Sequence, residues 1–295
     1  MEIKEFGEVI ARELRDVLGE EYAIECRDVV KNNGVVYHAV IIRKDGDSVA
    51  PTIYIDEYYK EYNNGAQLMR IVKDVVNVYR SCKHANKLDV EFFYDFANVS
   101  GRLFFKAVNY RKNKDKLKNV PIKRALDLAL VPLCFYHDEL IGDGSIMINN
   151  SHLDLWEITK DELWENVITS APKVAPPKIT GLADFLSRIT GEEEIDELCG
   201  LCVISNASGN FGAGTIFYPD VLKSIADDYE CDLYIFPSSI HECIVVPDIE
   251  NMMGTESMRD MIKEVNRSTV ANTEILSDNL YKYDRYEDRF LIVKD

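Results

Sequence analysis

Between the apolar runs Leu233–Phe236 and Cys243–Val246 the chain places Pro237-Ser238-Ser239-Ile240-His241-Glu242. A hydroxyl, an imidazole and a carboxylate are the groups of nucleophilic group transfer, in which the imidazole takes the hydroxyl proton and the carboxylate orients the imidazole. Ser238, Ser239, His241 and Glu242 are therefore the catalytic candidates. In an extended segment Ser239 and His241 share one side but stand about 6.5 Å apart along the strand, so a dyad needs a bend or a group from elsewhere. Asn206, Asn266, Arg267 and Asp278 are the polar residues that could complete such a site and are the ligand-binding candidates. The competing expectation is structural: Pro-Ser-Ser and His-Glu closing a β-hairpin through side-chain to backbone hydrogen bonds.

Other motifs carry less. His241-Glu242 opens like a zinc-protease HExxH, but Cys243-Ile244-Val245 follows and the second histidine is missing. Cys199-Gly-Leu-Cys202 leads into a strand, whereas a redox pair sits where a helix begins and lowers the first thiol's pKa. No second ligand pair exists for zinc, so buried strand cysteines are expected, with no metal and no cofactor. Gly209-Asn-Phe-Gly212-Ala-Gly214 is spaced GxxGxG, lacks a following GK[ST], and reads as close packing before a helix with Pro219 at its first position. His38, His84, His137 and His152 have no ligand-like spacing and are expected to be structural. Arg111, Lys112, Lys114, Lys116, Lys118, Lys123 and Arg124 form a basic stretch, expected as a solvated hairpin loop without a recognisable nucleic-acid module.

The elements that must position these groups read as α+β, with largely antiparallel sheets and flanking helices in two subdomains. Residues 2–18 have helical apolar spacing with Gly19 as a stop; three strands, 22–30, 34–43 and 49–55, follow across Asn32-Asn33-Gly34 and Asp45-Gly46-Asp47. A helical turn at 57–62 and a helix at 65–80 complete α-β-β-β-α. The run 90–96 is ambiguous, 103–110, 126–136 and 144–149 read as strands, Ser151 caps a turn holding Trp156, and Thr159 with Glu162 opens a helix over 160–168. The three prolines of 170–178 suggest an extended connector. The expected domains are thus 1–170, a connector at 171–180, and an acidic 181–295 that begins with a helix at 182–189 and the run Glu192 to Glu197. It continues through a strand, glycine loop, helix, and the strands flanking 237–242, then a helix at 254–267 and strands at 279–283 and 289–293.

At 295 residues with net charge -17, the chain is long enough for two cores and is unevenly charged. Residues 181–295 hold 23 acids against 9 bases. That surface repels nucleic-acid backbone and anionic membrane and suits a basic protein partner. The first residues carry charges through their apolar positions and no uncharged run reaches membrane-spanning length, so a soluble, cytoplasmic protein is expected; seven scattered cysteines agree with a reducing compartment.

The combination Ile204-Ser205-Asn206, Gly212-Ala213, Val221-Leu222, Asp232-Leu233-Tyr234-Ile235, PSSIHE at 237–242, Asn266-Arg267 and Leu276-Ser277-Asp278 resembles a family of bacterial proteins of unknown function, mostly from anaerobic gut Firmicutes. The resemblance implies a bacterial intracellular protein and brings no activity, substrate or cofactor; Cys199, Cys202 and Cys243 are not part of its pattern. The leading functional expectation is a non-enzymatic protein-binding or regulatory module, similar in outline to bacterial secretion chaperones. The alternatives are a hydrolase or transferase using the Ser/His/Glu turn, and nucleic-acid binding through residues 111–124.

Overall fold

The computed structural model describes residues 1–46, 50–82, 91–139, 142–184, 187, 200–249 and 253–294. Among the described residues it is α+β, with three mostly antiparallel sheets. The chain divides into two compact units, Met1–Glu91 with His137–Gly144, and Phe92–Tyr136 with Ser145–Asp295.

In the first unit α1 (Ile3–Leu18) buries Phe6, Ile10 and Leu14 on one stripe and stops at Gly19, whose φ of 104° suits glycine. Strands β1 (Tyr22–Val30) and β2 (Val36–Lys44) pair in register from Tyr22↔Lys44 to Val30↔Val36, and β3 (Thr52–Tyr54) adds to β2. The turn between β1 and β2 uses Asn33 at φ 60°, a conformation Asn tolerates. Alternation puts Ile24, Val40 and Ile42 into a core shared with α1 and with Ile71, Val72, Val75, Val76 and Tyr79 of α3 (Leu68–Ser81). The same register carries Cys26, Asp28 and His38 toward the turn end of the hairpin, where the apolar pattern gives way to polar groups. The short α2 (Asp56–Asn63) lies between β3 and α3 in sequence.

The second unit contains α4 (Phe96–Ser100), β4 (Leu103–Asn109), α5 (Tyr110–Asn113), β5 (Lys123–Ala125) and β6 (Leu128–Asp138). β7 (Gly142–Met147) pairs with β6, giving a sheet ordered β4-β6-β5 with β7 beside β6. Helices α6 (Asn150–Trp156) and α7 (Lys160–Val174) follow, then β8 (Pro177–Gly181), β9 (Cys202–Asn206), α8 (Val221–Tyr229), β10 (Leu233–Phe236), β11 (Cys243–Pro247), α9 (Thr255–Ser268), β12 (Tyr281–Asp284) and β13 (Arg289–Ile292). The six-stranded sheet has the order β13-β12-β10-β11-β9-β8. One apolar cluster includes Phe105, Leu128, Trp164, Ile204, Leu233 and Tyr281.

Several local expectations change. The prolines of 170–178 do not make a free connector: Pro172 lies within α7, and Pro177 starts the edge strand β8, which pairs with β9. A proline is tolerated at the first position of an edge strand because no ladder donor is required of it. The two compact units exchange at residues 91–92, 136–137 and 144–145. Asn149, not Ser151, caps α6, and Thr159 with Glu162 forms the expected capping box of α7, which runs on to Val174 because Leu163, Trp164, Val167 and Ala171 are buried along it. Pro219 precedes α8 by two positions and Asp220 is its cap. Residues 91–94 form a 3-10 turn. The acidic run Glu192 to Glu197, half of the 182–189 segment (185, 186, 188 and 189), Cys199 and His84 lie outside the described residues.

Candidate functional site

Strand β9 ends in Ser205 and Asn206, and the Asn206 side chain folds the loop that follows. Asn206 Nδ2 donates to Asn210 O at 2.6 Å, its Oδ1 accepts from Ser208 Oγ at 2.9 Å, and Asn210 N–H returns to Ser208 Oγ at 3.2 Å. Asn206 is 3% exposed, so this ring of bonds satisfies a buried amide. The loop then passes Phe211 at φ 58° and delivers Gly212 against β9 and the 237–242 turn. A Cβ on Gly212 would stand 2.2 Å from Ser205 Oγ, 2.4 Å from Asn206 N and 2.6 Å from His241 O. Gly214 lies against Phe105, its Cβ position 3.2 Å from that residue's carbonyl oxygen. Close packing, as expected, is what the glycines permit; Gly212, Ala213 and Gly214 are buried.

The turn is closed by its own side chains. Ser239 N–H donates to Glu242 O at 3.1 Å, His241 N–H donates to Ser239 Oγ at 2.9 Å, and Ser239 Oγ donates to Glu242 Oε1 at 2.7 Å. Neighbouring segments lock it: Ser205 Oγ donates to His241 O at 2.8 Å, Ile240 N–H to Glu274 O at 2.8 Å, and Ala213 N–H to Ile240 O at 3.3 Å. His241 Nδ1 accepts from Phe211 N–H at 3.3 Å, which places the proton of the neutral ring on Nε2, facing Glu274 Oε1 at 3.8 Å. The ring stacks on Phe211 at 5.8 Å with 13° between planes, and Lys106 Nζ lies 4.6 Å from the centre of the Phe211 ring.

This geometry bears directly on chemistry. A serine hydroxyl has one proton, and that of Ser239 goes to Glu242; the residue is 5% exposed. Imidazole and hydroxyl are thus committed to different partners. Pro237 and Ser238 are the members of the turn that line a groove of about 70 Å³, together with Phe236 and Ile244 on the strand side and Met261 and Val265 on α9.

Asn266 lies at the same groove, brought there by α9. Met258 and Ile262 of that helix are buried against Leu280, Tyr234 and Phe236. Asn266, 4% exposed, donates to Ser277 O at 2.9 Å and to Asp278 Oδ1 at 2.8 Å, which ties the helix to the segment before β12. Arg267 is exposed. Of the expected residues, then, Ser238 and Asn266 meet at the groove, with Asp278 bonded to Asn266, while Asn206, Ser239, His241 and Glu242 belong to the closed knot beside β9.

Two polar clusters were not foreseen, because each joins residues far apart in sequence. Asp127 receives Ser277 Oγ at 2.7 Å and Tyr281 OH at 2.8 Å, and burial, followed by the Asp127 charge, pushes the Tyr281 phenol well above its ordinary range. In the first unit His38 is clamped by Asp56, whose Oδ2 accepts the His38 N–H at 2.9 Å while Oδ1 faces Nδ1 at 3.1 Å. The cross-strand register Asp28↔His38 was the one sequence-level signal available for this cluster.

The basic segment is a folded platform, not an open hairpin loop: Asn113, Leu117 and Val120 are buried beneath it, and Arg111, Lys112, Lys114, Lys116, Lys118, Lys123 and Arg124 are exposed. Lys118 pairs with Asp115 at 2.9 Å, and Arg124 lies 3.4 Å from the Tyr110 ring centre while donating to Leu126 O and Leu128 O. Cys202 and Cys134 are buried thiols, pushed up to about 11 and about 12 by desolvation, and Cys243 is raised further by the same cause. Among the described residues no group of three or more His, Cys, Asp or Glu side chains could hold a metal ion, and no helix is long and apolar enough to cross a membrane.

No curated protein and no solved structure matches the chain. A family model does, over residues 3–285, and it takes in the knot at β9, the 237–242 turn and the Asn266–Asp278 tie alike. The chain belongs to the family described as "Family of unknown function (DUF5688)".

Proposed function

We propose that the protein is a non-enzymatic binding module that captures a basic segment of a partner protein through the groove between α9 and the β10–β11 turn. The observation that carries this reading is the apolar outer side of α9: Met261 is 43% and Val265 38% exposed, one turn apart, flanking the groove floor of Phe236 and Ile244. Exposed apolar groups gathered at a groove mark interaction sites more often than singly scattered ones do. The excess of acids over bases in residues 181–295 supplies charge complementary to a cationic segment. Hydrolysis or transfer at the 237–242 turn draws no support from the bonding there, since the Ser239 proton goes to Glu242 and His241 Nδ1 is filled by a backbone N–H. Nucleic-acid binding through residues 111–124 has the exposed cations in its favour but lacks a free aromatic platform, Tyr110 being covered by Arg124. We place the module in the cytoplasm of a bacterium, a reading supported by the free thiols of its described cysteines, of which Cys134, Cys202 and Cys243 are buried.

A photo-crosslinking residue at position 261 tests the reading in cells of the source. The expected result is a protein adduct whose crosslinked peptide is basic and carries an apolar anchor, weakened by salt and lost when Val265→Glu is added as a second change (the double variant), with the far-UV circular dichroism unchanged. A chain that stays monomeric with no adduct, or an adduct that persists in the double variant, removes the groove as the binding surface.

A further inference from the structure

The first unit holds a second concavity, a cleft of about 270 Å³ between the N-terminal half of α1 and the turn end of the β1–β2 hairpin. Its lining joins the apolar Ile3 and Ile55 to the side chains of Lys4, Glu8, Asp28 and His38. The apolar core face of β1 and β2 becomes polar only here, where the helix approaches closely: a Cβ on Gly7 would stand 3.1 Å from Ile55 Cδ1 and 3.4 Å from Cys26 Sγ.

His38 is held in a defined state. Asp56 accepts the His38 backbone N–H with one oxygen and faces ring Nδ1 with the other. A carboxylate only accepts, so Nδ1 carries the proton and the lone pair of the neutral ring sits on Nε2. Nε2 is directed toward Asp28 Oδ1, 3.6 Å away, beyond direct hydrogen-bond distance. Two acceptors thus face each other across a gap at the wall of a cleft. Beside them is a cation whose pairing is exposed and weak: Lys4 Nζ is 3.0 Å from Asp28 Oδ2, with the Lys4 side chain 72% exposed, whereas Arg27 points to the other face of β1 and pairs there with Glu25 at 2.7 Å.

We propose that this cleft binds a small amino or hydroxy acid. The ligand's amine or hydroxyl donates to His38 Nε2 and Asp28, and its carboxylate takes the exposed cation Lys4, which can turn from Asp28 at little cost. Asp56 is a positioning residue, acting through the tautomer it imposes. The chemistry shared by the two ligand sources is a hydrogen-bond donor next to a carboxylate, and the lining leaves room for a small side chain over Ile3 and Ile55.

The test is nitrogen-15 NMR of the histidine ring in the full chain. The neutral ring of His38 is expected as the Nδ1–H tautomer, and glycine, L-serine and L-lactate at up to tens of millimolar are the probes. Acetate and ethylamine, each carrying one half of the recognised pattern, are the controls. At least one of the three probes is expected to shift the Nε2 resonance at a concentration ten or more times lower than either control. The shift should vanish in Asp28→Asn, and Asp56→Asn should weaken it while changing the tautomer ratio. An Nε2–H tautomer overturns the proposal, because Nε2 would then donate to Asp28 and close the notch. A shift that the controls reproduce, or none from any probe, overturns it as well. Success with serine and glycine only assigns amino acids, and success with lactate only assigns hydroxy acids.

Discussion

Gly212 stands where any side chain would meet backbone. The Cβ of an alanine would fall within 2.6 Å of three atoms, two of them the Asn206 nitrogen and the His241 carbonyl oxygen, which cannot rotate away. Gly212→Ala should therefore push the β9 loop off the 237–242 turn and cost about 2–3 kcal/mol of stability by overpacking. Urea unfolding checks this: a lower midpoint at unchanged slope is expected, whereas a wild-type midpoint would mean that the loop and turn separate without loss. The same residue shows what a sequence can say about a site. A GxxGxG loop after a strand announces a need for small residues, but not which backbone atoms come close, since Ser205 and Asn206 reach Gly212 from β9 and His241 reaches it from the 237–242 turn. The Ser239–Glu242 bond was legible as hairpin chemistry because it spans three residues. The partners Phe211 and Glu274 of His241 were not, being 30 and 33 positions away.

Among the elements, local pattern and long-range packing divide the same way. The β1–β2 hairpin is written in alternating apolar residues around Asn32-Asn33-Gly34, and α1 in its apolar stripe and terminal Gly19. Helix α7 outruns its expected end because burial of Ser170 and Ala171 against the second unit's core sustains a turn that Pro172 disfavours. Strand order is equally invisible locally: β12 arrives beside β10 from the far end of the chain. Lys282 of β12 fixes that arrival, its Nζ 2.9 Å from both Asp232, just before β10, and Asp248, just after β11. Burial alone would lower its pKa, but the two carboxylates together outweigh this and raise it above the ordinary lysine range. A raised folded-state pKa means that the stabilisation is fully present below the unfolded value, about 10.4, and is lost as pH climbs above it toward the folded value. Lys282→Met removes the cation from between two partly buried carboxylates and should cost about 2 kcal/mol near neutral pH. Its deficit against wild type should shrink as pH rises past about 10.4, and a deficit constant from pH 7 into that range would show that packing of the lysine stem, not its charge, is what β12 relies on.

At the scale of the whole molecule the two units draw on separate cores, one built from Phe6, Ile10, Ile42, Ile71 and Val75, the other from residues between Phe93 and Tyr283. The first core is local, formed by α1, the hairpin and α3 within the leading 82 residues, while the second joins β4 and β6 to strands a hundred or more positions later. Contacts of low sequence separation form with little loop-closure cost, so the first unit should form early and be able to stand alone. Calorimetry of the full chain is expected to show two transitions, and Ile71→Ala, which empties a fully buried site, should lower one of them by about 3 kcal/mol of stability and leave the other in place. Residues 1–82 expressed alone should give the near-ultraviolet signal of packed tyrosines, Tyr22 against Tyr79 and Phe6 against Tyr59 and Tyr62. If instead one transition moves as a whole in Ile71→Ala and the fragment is molten, the two cores are one cooperative structure. The cleft of the first unit and the groove of the second would then have to be treated as coupled sites and not as independent ones.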